Sequence, residues 1–145
     1  MVSPISPPVQ PVTLPAWQLV WRNAICPLVK DRALLALRRA LVLDDPGLLQ
    51  KETVQPPPIL SCADWPCEGC CVIGYLGWQG DDLETVGEVE EFFARFCAEI
   101  DRAMGEPAAC QYFVNWFDST PRAEMRKELL QEIERELSRR LSSAA

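Results

Sequence analysis

Apolar residues recur at helical spacing along much of this chain. In "LVKDRALLALRRALVL", Leu28 to Leu43, residues Leu34, Leu35, Leu37, Leu41 and Val42 give a broad apolar side, the pattern of an amphipathic helix. "DDPG" at 44–47 supplies its stop, with Asp45 placed to cap one further short turn. Upstream, "AWQLVWRNAI" predicts a helix from about Pro15, capped by Thr13, that reaches Pro27. Pro27 has no amide hydrogen, so the helix must kink there or a second one must begin. Between Val86 and Met104, Val86, Val89, Phe93, Phe96, Ile100 and Met104 recur at steps of three and four. Thr85 and Glu88 form a capping box before this helix, and Gly105 and Pro107 end it. The last helix carries Met125, Leu129, Leu130, Ile133, Leu137 and Leu141 on one stripe. Thr120 is its expected cap and Pro121 its first residue; Glu124 suits its positive end, and Arg139 and Arg140 its negative end.

The stretches between are less regular. "VIGYLGWQG" is apolar with three glycines and predicts a short strand or ordered loop, including a possible small hairpin. "EPAACQYFVNWF" predicts a short helix, with strand as the alternative, and "TVQPPPIL" an extended connector. Residues 1–14 read as a Pro-rich flexible arm, either a loose tail or a ligand for an aromatic groove. The expected fold is mainly α: a small single-domain helical bundle over residues 15–145, with three principal helices and an irregular Cys-rich connection. No internal repeat is visible at periods of 20–50 residues.

At 145 residues the chain can build one hydrophobic core. No apolar run approaches the roughly 18 residues that would span a bilayer, so no membrane association is expected. The first fifteen residues lack a basic region followed by an apolar one, which leads to the expectation of a cytoplasmic protein with reduced thiols. The net charge of −7 is segregated. Residues 1–43 carry five basic groups against the single acid Asp31, while residues 44–120 carry fifteen acids against three bases. The acidic middle argues against a nucleic-acid surface, leaving only Lys30, Arg32, Arg38 and Arg39 as a basic group for one. Opposite segments can instead attract each other, within the fold or across a partner.

The chain has no histidine, which removes Ser-His and Cys-His dyads, imidazole bases and His metal sites together. It does have seven cysteines, four of them in "SCADWPCEGCC". Cys62, Cys67 and Cys70, spaced C-x4-C-x2-C with Cys97 as a distant fourth, resemble the cluster loop of plant-type two-iron ferredoxins. That resemblance implies a thiolate-held metal, and the chemistry of four soft donors suits zinc ahead of iron–sulfur. Trp65 and Pro66, however, stand where such loops carry small residues. Packed thiols lead over metal ligation, with thiol redox chemistry at Cys67 and Cys70 a further alternative. Asp81 and Asp82 read as dipole partners of the helix that follows them. Trp17, Trp21 and Arg22 share a helix surface and, with Glu90 and Glu91, are the candidate partner-binding residues. With no complete catalytic set, the expected function is a non-catalytic interaction or accessory subunit that binds a protein partner or its own copies. The alternative is a Cys-ligated metal or thiol redox protein.

Overall fold

The computed structural model describes residues 13–52 and 64–143. Within them the chain is mainly helical. Six α-helices follow in order: α1 (Ala16–Val20), α2 (Asp31–Leu43), α3 (Val72–Gly80), α4 (Val86–Met104), α5 (Cys110–Ser119) and α6 (Arg122–Ser143). Most of the Pro-rich arm, residues 1–12, and the PPP connector lie outside the described residues.

Pro27 acts on the helix as its chemistry requires. Its missing amide leaves the carbonyl four residues back without a donor, and its ring crowds that carbonyl. The chain answers with a π turn over Trp21–Ile25, where the Cys26 amide reaches back five residues to the Trp21 carbonyl. A 3₁₀ turn over Cys26–Leu28 follows, and extended Val29 then leads toward α2. Asp44, in the left-handed region at φ 53°, ends α2.

The segment expected as strand, loop or hairpin is a helix. α3 buries Val72, Ile73, Gly74, Tyr75, Leu76, Gly77 and Gly80. Only Trp78 and Gln79 of this helix are half-exposed, so it has no sustained polar face and the periodicity that would reveal it is lost. Close packing explains its glycines. A Cβ at Gly77 would stand 2.6 Å from the Phe92 ring, and one at Gly80 would stand 2.5 Å from the Ala33 Cβ. α3 can therefore wedge between α2 and α4, the two helices it packs against.

α5 packs on α1, where Trp17 stacks on Trp116 with ring centroids 3.6 Å apart. "CQYFVNWFDS" is thus helix, not strand, with Phe113 and Phe117 fully buried. Thr120 closes this helix instead of capping the next, since its hydroxyl donates to the Trp116 carbonyl at 2.6 Å. The capping box at Thr85 and Glu88 forms as expected, and Gly105 ends α4 at φ 66°.

α6 lies along α2 and buries two carboxylates, Glu132 and Glu136. Nε and Nη2 of Arg22 donate to Glu132 at 2.8 and 2.9 Å. Glu136 accepts from Arg139 and Arg140 at 2.7–2.9 Å. Arg140 also donates to Asp31 and to the carbonyls of Cys26 and Val29, tying the end of α6 to the turns before α2. The segregated charges meet inside the fold. Lys30 pairs with Asp81 and Arg32 with Asp82, so these acids face the start of α2.

Candidate functional site

The Cys-rich connection is clamped from both sides before α3 begins. On one side the Cys70 amide donates to Gly47 at 2.9 Å and the Cys70 carbonyl accepts from Leu49 at 2.8 Å, a parallel bridge between Leu48 and Cys70. On the other, the Cys67 amide donates to Glu84 at 2.7 Å and the Trp65 carbonyl accepts from Val86 at 2.8 Å. Asp45 braces the turn that meets Cys70, accepting from the Gly47 amide at 2.8 Å and from the Tyr75 hydroxyl at 3.0 Å. Burial, followed by that hydrogen bond, pushes the Tyr75 phenol up.

The thiols divide by role. The Cys71 sulfur caps α3, accepting from the Gly74 amide at 3.5 Å, and burial pushes it up to about 11. Burial carries Cys26 to about 12, with the Glu136 charge adding to it. Cys67 and Cys70 stand near enough for each thiol to shift the other's titration. The Cys70 thiol, with help from the Gly69 backbone, pulls Cys67 below the ordinary thiol value despite its burial. The Cys67 thiol, joined by burial, drives Cys70 upward. Cys97, on α4, stands near Cys110, on α5, whose thiol together with burial raises it.

The four-thiol set inferred from spacing is not assembled by the described residues. Cys62 lies outside them. Cys67 and Cys70 come together, but Cys97 is partnered by Cys110. Among the described residues no three Cys, Asp or Glu side chains converge as metal ligands. The pairing of Cys97 with Cys110 has no sequence signal, because it depends on how α4 and α5 meet.

The candidate partner-binding residues also separate. Trp17 and Trp21 are core, at 6% and 0% exposure, so neither ring faces a partner. The reason is their shared helix face: it is the face that packs on α5, where Trp21 stacks over Phe113. Arg22 is engaged by Glu132. Glu90 and Glu91 are exposed on α4.

A groove of about 240 Å³ opens where the start of α2, α3 and α4 meet. Leu28, Val29, Ala33, Leu76, Phe92 and Phe96 give it an apolar lining, and Lys30, Asp81, Arg95 and Glu99 add charges of both signs. Phe92 and Phe96 stack at 5.2 Å. Sequence periodicity assigns Phe96 to the core without showing that its neighbourhood stays open.

No protein-family model, curated protein or solved structure matches this chain. Among the described residues no helix is long and apolar enough to cross a membrane.

Proposed function

We propose that the chain is a non-catalytic accessory subunit that binds a protein partner through the groove between α2 and α4. The observation that carries this reading is an open apolar pocket ringed by Lys30, Asp81, Arg95 and Glu99. Its volume suits one bulky side chain. Burying a Leu or Phe there is worth about 1.5–3 kcal/mol, the contribution of an interface anchor. Charges of both signs around it fix orientation more than they add affinity. The occupant that fits is an amphipathic helix with one large apolar residue flanked by both an acid and a base. Glu91, one helical turn before Arg95, extends the acidic side of this border.

The test is co-purification of tagged full-length chain from its own cells. Arg95→Glu combined with Glu99→Arg reverses two exposed α4 charges and should leave the helical circular dichroism unchanged. The expected result is a stoichiometric partner that the double reversal removes. A partner retained at equal yield, or no stoichiometric partner at all, contradicts the reading.

A further inference from the structure

We infer that Cys67 and Cys70 are a dithiol site that exchanges electrons with disulfides of thiol compounds or proteins. Only Glu68 and Gly69 separate the two cysteines, in a segment whose backbone is pinned to Gly47 and Leu49 on one side and to Glu84 and Val86 on the other, and their thiols stand near enough to shift each other's titration. A loop held this way does not have to order itself for the sulfurs to meet. Its members are unequal: Cys70 is fully enclosed at 0% exposure, while Cys67 retains 7% and donates to the Gly69 carbonyl at 3.6 Å. Cys67 is therefore the attacking sulfur and Cys70 the resolving one. The Cys67 thiol is also pulled below its ordinary pKa while that of Cys70 is pushed up, which agrees with that order, since the thiolate is the nucleophile.

The chemistry closes on itself. The Cys67 thiolate attacks one sulfur of a substrate disulfide; the substrate S–S bond breaks, a mixed disulfide forms on Cys67, and the first thiolate leaves and takes a proton from water. Cys70 then loses its proton and its thiolate attacks the Cys67 sulfur. The Cys67–Cys70 bond forms, the mixed disulfide breaks, and the second substrate thiolate leaves and is protonated. The dithiol gives up two electrons and two protons, and the disulfide becomes two thiols. The remaining described thiols do not share this arrangement. Cys71 is engaged as a helix cap, Cys26 is buried beside Glu136 and Arg140, and the Cys97–Cys110 pair joins two different helices.

The test equilibrates full-length chain with glutathione and glutathione disulfide, then alkylates free thiols and maps fragments by mass spectrometry. A Cys67–Cys70 disulfide that reverts with excess glutathione is the expected product. Cys70→Ser should trap glutathione on Cys67 about tenfold faster than Cys67→Ser traps it on Cys70, with circular dichroism confirming that both variants fold. The inference fails if Cys67 and Cys70 stay alkylatable at every ratio. It fails equally if Cys67 pairs with Cys62 or Cys71, or if the two variants trap glutathione at equal rates. None of these readouts depends on the groove, so the two proposals stand or fall separately.

Discussion

Gly80 and Gly105 show two unrelated reasons for the same residue. At Gly80 the constraint is space, because a Cβ would meet both the Cβ of Ala33 at 2.5 Å and its Cα at 3.2 Å. At Gly105 there is open space but φ is 66°, where an L side chain is strained. Gly80→Ala is expected to destabilise by about 2–3 kcal/mol through overpacking, and Gly105→Ala by about 1 kcal/mol through backbone strain. Urea unfolding of both variants checks the order; equal losses would mean that α3 is not seated against α2 this closely. Gly105 is legible from its place after an amphipathic run, whereas Gly80 is not, since nothing local announces a neighbour as distant in sequence as Ala33. The same limit applied to the thiols. Cys67 and Cys70 are visible as a close pair, but the Cys97–Cys110 contact requires the packed helices.

At the scale of elements, the apolar stripe expected on α6 holds for its first part only: Leu130 and Leu137 are half-buried and Leu141 is 75% exposed. Met125, Leu129 and Ile133 are buried as expected. Glu132 and Glu136 look like solvent-facing acids in the sequence, yet the fold encloses both because Arg22, Arg139 and Arg140 satisfy them. The Glu136 carboxyl is held down to about 2, chiefly by its hydrogen bond from Arg139, against the opposing effect of burial and with Arg140 adding to it. Its folded value is below its ordinary value of 4.5, so its stabilisation is fully present above pH 4.5 and is lost as pH falls toward 2. Glu136→Gln should therefore lower stability at neutral pH by about 2 kcal/mol, and the difference from wild type should shrink by pH 3 in urea titrations at both pH values. Arg140→Lys should recover little of what Arg140→Ala loses, because an ammonium cannot reproduce the fork to Cys26, Val29, Asp31 and Glu136. Thermal unfolding of the two variants measures this. α2, α4 and α6 are legible as helices, but Leu35 and Val42, expected on the apolar side of α2, are each 52% exposed. α3 is not legible, because its pattern has no sustained polar side, and the π turn was legible only as a disturbance at Pro27.

Over the whole molecule, the charge segregation seen along the chain is partly consumed by the fold itself. Lys30, Arg32 and Arg38 pair with Asp81, Asp82 and Glu134, which weakens the basic group that a nucleic-acid surface would have needed. The aromatic side chains of Trp17, Trp21, Phe113 and Phe117 are likewise drawn inward. Phe92 and Phe96 instead line the groove between α2 and α4. The most direct measurement places a photo-crosslinking side chain at position 95, on the groove, and separately at position 127, an exposed site on α6 outside its lining. Irradiation in the protein's own cells is expected to join one defined protein to the chain from position 95 and not from position 127. No adduct at 95, or the same adducts from both positions, would contradict binding through the groove.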